Sequence, residues 1–289
     1  MTCALGVRTL LLATALLGTP FDGPRGEAPA PTVKVAGIVL KWVRGDKEAN
    51  YRRAEPMIRE AAARGAKVVC TTECFLDGYA IADKSIPTDV YRALGERIPE
   101  GEYCRRLMAL ADELDITLVA GLLEADGPAR YNTAILIGPD GALRGKYHKQ
   151  KLGHELVRNS PGSESLVFPT RYGSAGLMIC ADRTEKAIVE GFRVNGAEFL
   201  LCPSGGMFGP EENDPIVQAR SRENRMFIVF VHPAEFLVTA PDGSIAKRVL
   251  LGDRLVIKPE DVGTPVDRNA VVEFDLPAPE GAGADVSPK

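Results

Sequence analysis

The stretch Ala175-Gly-Leu-Met-Ile-Cys-Ala-Asp182 constrains this 289-residue chain more than any other. A short apolar run leads into Cys180, Ala181 and the charged pair Asp182-Arg183; Ala187, Ile188 and Phe192 then recur near helical spacing until Asn195-Gly196. The pattern predicts a strand, a tight turn and a helix, with Cys180 at the turn. A thiol at a strand's carboxyl end lies close to backbone N–H groups, which favour a thiolate and can hold an oxyanion. The competing reading is a buried cysteine packed as a small hydrophobe. A nucleophile needs partners as well as position.

The same grammar recurs along the chain. Val33–Leu40 is an apolar run of strand length, followed by a polar turn and a helix whose inner face takes Tyr51, Ala54, Ile58, Ala61 and Ala62; Pro56 is expected to kink it or mark its first turn. Ala66–Thr71 is the next strand and delivers Thr72-Glu73-Cys74 at its end. Residues 80–100 read as mixed loop and helix. Glu102–Asp115 is the clearest amphipathic helix, with Tyr103, Leu107, Leu110, Ala111 and Leu114 on one face. Ile116–Leu123 is a strand ending at Glu124, and Tyr131–Gly138 and Leu143–Tyr147 form a hairpin around Pro139-Asp-Gly141, with His148-Lys149 at its end. After the cysteine unit come strands at Ala197–Pro203 and Met226–Val231, a polar loop Pro210–Asp214, a helix from about Pro215 to Arg225, and a second hairpin around Pro241-Asp-Gly243. Ala270–Leu276 is the last strand. The order predicts one α/β domain with mixed sheets, spanning residues 32–276, and the two halves look loosely alike.

The ends differ. Arg8 precedes an apolar run, Thr9–Gly18, and a Pro/Gly-rich stretch follows, so residues 1–31 read as a secretory signal peptide and linker and the protein as exported, periplasmic or secreted. The run falls short of the ~20 apolar residues of a membrane span, and no stable membrane insertion is expected after processing. The alternatives are a disordered extension or a misplaced start codon on a cytoplasmic protein. Residues 277–289 lack the apolar content to fold and read as a flexible tail.

Composition excludes several classes. A net charge of −4 carries no basic excess, which argues against nucleic acid as a partner and for a small-molecule substrate. Five of the six cysteines lie beyond the leader, an odd number in apolar surroundings and no disulfide framework. None of the three histidines has zinc-ligand spacing to a cysteine pair, so no metal is expected, and no cofactor.

Glu73, Glu124, Lys149 and Cys180 therefore stand at four strand ends, where reactive groups of α/β proteins gather. Each alone could be a surface charge or core thiol. Together they are specific. Thr72-Glu73-Cys-Phe-Leu-Asp-Gly78-Tyr79 resembles the glutamate motif Pro-Glu-x-x-x-x-Gly-Tyr of the carbon–nitrogen hydrolase (nitrilase) superfamily, with Thr72 for proline. Tyr147-His-Lys149-Gln-Lys-Leu152 is similar to its lysine motif, and Ile179-Cys180-Ala-Asp-Arg183 to its cysteine motif. Gly121-Leu-Leu-Glu124 with Tyr131-Asn-Thr-Ala134 resembles the segment of its second glutamate. The likeness extends through Cys202-Pro-Ser204 and Arg222-Glu-Asn224 and covers residues 33–276. It departs at His232-Pro-Ala-Glu235, where an asparagine- and glycine-containing stretch is expected, which puts substrate choice in question.

The resemblance implies an α-β-β-α sandwich and hydrolysis of a non-peptide carbon–nitrogen bond, on an amide-type substrate, through a cysteine thioester. Cys180 is the implied nucleophile, with its pKa lowered by Lys149, and Glu73 the proton carrier. Lys149 and the Ala181 N–H are the implied oxyanion donors, and Glu124 orients Lys149 or the substrate. Phe75, Tyr79, Phe208 and His232 are candidates to line the pocket. A homodimer or higher homo-oligomer is the family's expectation. Three alternatives stand beside this one: a nitrile or N-carbamoyl hydrolase, a non-catalytic exported binding module on this fold, and a thiol-redox protein using Cys70 and Cys74.

Overall fold

The computed structural model describes residues 1–2, 31–206 and 208–278. Most of the stretch read as signal peptide and linker, residues 3–30, lies outside the described residues, as do residues 279–289 of the expected tail. In chain order the elements are β1 (Thr32–Val39), β2 (Trp42–Val43), α1 (Lys47–Ala63), β3 (Val68–Cys70), α2 (Thr88–Ala93), α3 (Glu102–Leu114), β4 (Thr117–Asp126), β5 (Ala129–Ile137), β6 (Leu143–His148), β7 (Val167–Thr170), β8 (Gly173–Leu177), α4 (Lys186–Val194), β9 (Phe199–Pro203), α5 (Pro210–Asn224), β10 (Phe227–His232), β11 (Glu235–Thr239), β12 (Ile245–Leu250), β13 (Val256–Ile257) and β14 (Ala270–Pro277). Among the described residues no helix is long and apolar enough to cross a membrane.

Two six-stranded sheets carry the architecture, ordered β14-β1-β3-β4-β5-β6 and β12-β11-β10-β9-β8-β7. Each holds three parallel strands (β1, β3, β4 and β10, β9, β8) flanked by three antiparallel ones. That is the physical content of the two similar halves. Period-2 alternation sorts the side chains. Val35 and Val39 of β1 enter the core between the sheets with Val119, Leu136, Leu177, Leu201 and Phe236. Ala36 and Ile38 face outward and are covered by Tyr51, Ala54 and Ile58 of α1 and Leu107 and Leu110 of α3. Val189 and Phe192 of α4 and Val217 of α5 pack on the second sheet. The result is the expected α-β-β-α sandwich. Each fully buried Val, Ile, Leu or Phe contributes about 1.5–3 kcal/mol relative to exposure. Gly37 lets the sheets meet closely, since a Cβ there would run into the Phe236 ring.

Three local expectations change. Helix α1 runs through Pro56 from Lys47 to Ala63, with Pro56 on its exposed face. Helix α5 starts at Pro210, five residues earlier than expected: proline fits the first turn, where its missing N–H is not needed, and Glu211 and Glu212 face the positive end of the helix dipole. Strand β14 reaches Pro277, paired with Thr32, so the chain is still structured where the tail was expected to begin.

Candidate active site

Three chain segments converge where the parallel strands end. β3 leads into Thr71-Thr-Glu73, and the Glu73 N–H donates to Ser204 O after β9 at 3.1 Å. Thr72 stands where proline was expected, and its hydroxyl accepts from Trp42 Nε1 at 2.9 Å, which anchors the loop. β6 delivers Lys149, whose N–H donates to Asn132 O at 2.9 Å. β8 leads into Cys180, at the start of a short 3₁₀ turn (Cys180–Thr184) with φ of +43°. A β-carbon in the left-handed region costs on the order of 1–3 kcal/mol, and residues strained in this way cluster at active sites.

The polar groups at these ends are all buried and interlinked. Lys149 Nζ donates to Glu73 Oε1 and to Glu155 Oε1, both at 2.6 Å. Burial would push its pKa down, but the Glu73 and Glu155 carboxylates hold it well above the ordinary lysine value, so the ammonium stays charged. Asn132 Nδ2 donates to Glu73 Oε1 at 2.8 Å and to Glu155 Oε2 at 3.1 Å. Glu155 also accepts from the Tyr79 hydroxyl at 3.1 Å and from Asn159 Nδ2 at 3.2 Å.

Glu73 Oε2 has no hydrogen-bond partner among the described residues. It lies beside Gly205, where an added Cβ would sit 2.9 Å from it and collide with Trp42. The Gly205 carbonyl accepts from Cys180 Sγ at 3.2 Å. The open carboxylate oxygen and the thiol thus flank one glycine. Arg183 Nη1 donates to the sulfur at 3.6 Å. Burial, and then Glu73, push the thiol up to about 11, while Lys149 and Arg183 act in the opposite direction. The expectation of a lysine-lowered thiol is therefore corrected. In a dry site beside a carboxylate the sulfur rests protonated and needs a base.

Asp182 binds the two loops together. Its Oδ1 accepts from the N–H groups of Gln150 (3.1 Å) and Lys151 (2.7 Å), and its Oδ2 from the Tyr147 hydroxyl (2.8 Å) and the Ile179 N–H (3.0 Å). One buried carboxylate so fixes the lysine loop of the first sheet against the cysteine turn of the second.

The expected residues divide. Glu73, Lys149, Cys180 and its neighbour Ala181 come together, with Tyr79 over Lys149 at 5.9 Å from the ring centre. Glu124 does not join them. On β5 Asn132 points toward Lys149, so the adjacent Tyr131, opposite Glu124, points to the other face of the sheet. There Glu124 accepts from Lys146, from Thr133 at 2.8 Å and pairs with His148 at 2.7 Å. Glu155 occupies the position expected of it. The one signal for Glu155 was its isolation as the sole acid between Arg144 and Arg158, amid Lys146, Lys149 and Lys151. Phe75 does not line the pocket either: it is fully buried in the outer core between sheet and helices. Phe208, 55% exposed, and His232 do border a cavity. Cys70 and Cys74 fall in the two separate cores, on opposite sides of the sheet, which removes the redox pair.

The sequence model of the carbon–nitrogen hydrolase family matches residues 34–257. The omega-amidase NIT2 of Danio rerio is 31% identical over 256 residues, covering 83% of this chain and 86% of that protein. A nitrilase of Pyrococcus abyssi is 31% identical over 201 residues, covering 68% and 73%. Among solved structures, Nit3 of Saccharomyces cerevisiae, a member of branch 10 of the nitrilase superfamily, superposes with a TM-score of 0.70 at 26% identity, covering 85% of this chain and 90% of that one.

Proposed function

The chain belongs to the carbon–nitrogen hydrolase family and is an enzyme acting on amide-type substrates; on that footing we propose that Cys180, Glu73 and Lys149 carry out the hydrolysis through a thioester, with Glu155 as the positioning acid. One observation carries the assignment: a buried ammonium held by two carboxylates, one of which keeps an oxygen open beside the same glycine that accepts from the thiol.

The steps follow from those positions. Glu73 takes the thiol proton as Cys180 Sγ attacks the amide carbon, work typically worth ~10²–10⁴-fold. The carbonyl oxygen gathers charge and is held by Lys149 Nζ and the Ala181 N–H; losing one such donor typically costs ~10²–10³-fold. Glu73 passes its proton to the leaving nitrogen, and ammonia or an amine departs as the thioester forms. Water then gives a proton to Glu73 and attacks the thioester carbon. The thiolate leaves and recovers that proton, releasing the carboxylic acid. Glu155 keeps Lys149 aimed and charged throughout. The amide reading stands before the nitrile and N-carbamoyl ones because the relative matched over the greater length is an omega-amidase.

The test is ammonia release from a panel of amides, nitriles and carbamoyl compounds, beside Cys180→Ala. Release by the wild type alone supports the assignment, and wild-type-level release by the variant ends it. Export is part of the proposal on the sequence of Arg8–Gly18, and N-terminal sequencing of the secreted fraction tests it. A homodimer or larger homo-oligomer rests on the family resemblance, with light scattering in solution as its check.

A further inference from the structure

At the end of β10 the chain departs from the family pattern as His232-Pro-Ala-Glu235, a tight turn into β11. This turn walls a cavity of about 390 Å³ lined by Phe208, His232, Ala234, Glu235, Leu250 and Leu255, among others. The loop after β9 links the cavity wall to the thiol: His232 Nε2 lies 3.3 Å from Gly206 O, and the preceding Gly205 carbonyl accepts from Cys180 Sγ. Most of its lining is apolar and suits a methylene chain.

Glu235 is a buried acid in that wall. It is 1% exposed, and neither carboxyl oxygen meets a hydrogen-bond donor among the described residues. Asp214 of α5 stands against it, with its Oδ1 likewise without a donor and its Oδ2 accepting from Arg248 at 2.7 Å. Burial, with Asp214 next, holds the Glu235 carboxyl well above the usual carboxylate range, so the two acids share a proton. The shared proton joins one Glu235 oxygen to Asp214 and leaves the other buried Glu235 oxygen without a donor among the described residues, an atom that is costly until a ligand or a water completes it. A structural role is poorly served, since a leucine would fill this place without the penalty. Arg183 donates to Asn213 and to the cysteine sulfur, while its Nε has no acceptor among the described residues and its charge bears on Glu235; Asp253 adds a further acid to the wall.

We propose that Glu235, with Asp214, forms a subsite for a cationic ammonium group at the far end of the substrate, so that this enzyme prefers ω-amino amides. The inference rests on the amide-hydrolase reading and deepens it. The amide carbonyl lies at Cys180, the methylenes run along Phe208, Leu250 and Leu255, and the ammonium donates to the open Glu235 oxygen, with Asp214 behind it. A distal carboxylate would be repelled there.

The test compares ω-amino amides of graded chain length with their methyl-ended and carboxylate-ended equivalents, in wild type and Glu235→Gln, with thermal melting to verify folding. The wild type should favour the ammonium-ended member in kcat/KM by about tenfold or more, the worth of one charge-assisted hydrogen bond. In Glu235→Gln that ratio should fall toward one. Equal rates on methyl-ended and ammonium-ended amides, or a preference for the carboxylate-ended ones, overturn the subsite while leaving amide hydrolysis standing. Calorimetry with n-butylammonium chloride needs no turnover and tests the subsite independently. Binding by the wild type and not by the variant supports the subsite even if no amide is hydrolysed. Equal binding, or none by the wild type, overturns it.

Discussion

Lys149 Nζ stands as close to Glu155 as to Glu73, 2.6 Å in each case, so one ammonium is shared by two carboxylates inside the core. The two differ in what else they meet. Glu155 is saturated by Tyr79, Asn132 and Asn159, whereas Glu73 keeps one oxygen open. That asymmetry separates the positioning acid from the proton carrier.

Glu155→Gln should therefore lower kcat by about 10²-fold, the scale of a lost oxyanion contact, because Lys149 is no longer held in place. KM for a simple amide should change little. Glu155→Ala should also cost about 3–5 kcal/mol of stability, as breaking a buried pair does. Steady-state kinetics with chemical denaturation checks both, and a wild-type kcat in Glu155→Gln would refute the role.

The elevated thiol makes a distinct prediction about reactivity. With its pKa at about 11, alkylation of Cys180 in the free enzyme should climb steadily from neutral pH through pH 9 and beyond. Iodoacetamide inactivation rates across pH would show this. A plateau already reached at pH 7 would mean a preformed thiolate.

Gly205→Ala should abolish turnover while leaving the sandwich folded. The new methyl would meet Trp42 and crowd Glu73 Oε2, the oxygen that receives the proton. Forced overpacking of this kind typically costs 1–3 kcal/mol, less than a domain's whole stability. Circular dichroism beside an ammonia assay would separate the two effects.

His232 supplies a pH dependence of stability. Burial, first of all, lowers its pKa from 6.5 to about 4. Below pH 6.5 the unfolded chain binds a proton that the folded chain refuses, so stability is present above that pH and lost as pH falls toward 4. At about 1.4 kcal/mol per unit, the loss is on the order of 3 kcal/mol. Urea melts at pH 7 and pH 4.5 should show it, and His232→Gln should lose that share of the slope.

Much of this site is legible in the amino-acid sequence, for a physical reason. Glu73 and Cys180 each stand at the end of an apolar run of strand length and Lys149 at the end of the return strand of a hairpin, so position and chemistry point to one place. Glu155 follows no such run: it lies in a short 3₁₀ turn (Gly153–Val157), which has no periodicity to display. Glu124 misled because a strand turns adjacent residues to opposite faces, and register is set by pairing with β5, not by the strand's own sequence. Phe75 misled because an aromatic residue beside a catalytic acid is equally at home in the core behind it. The early start of α5 was hidden by Pro215, which lies inside the helix and looked like its beginning.

The Asp182 carboxylate clamps a loop from one sheet to a turn from the other. Nucleophile and ammonium therefore belong to different halves of the molecule, and neither half alone contains a working site. A chain severed between Asn159 and Val167 would yield two inert fragments. Recovered hydrolysis on mixing them would report, without any spectroscopic label, that the two sheets had closed face to face.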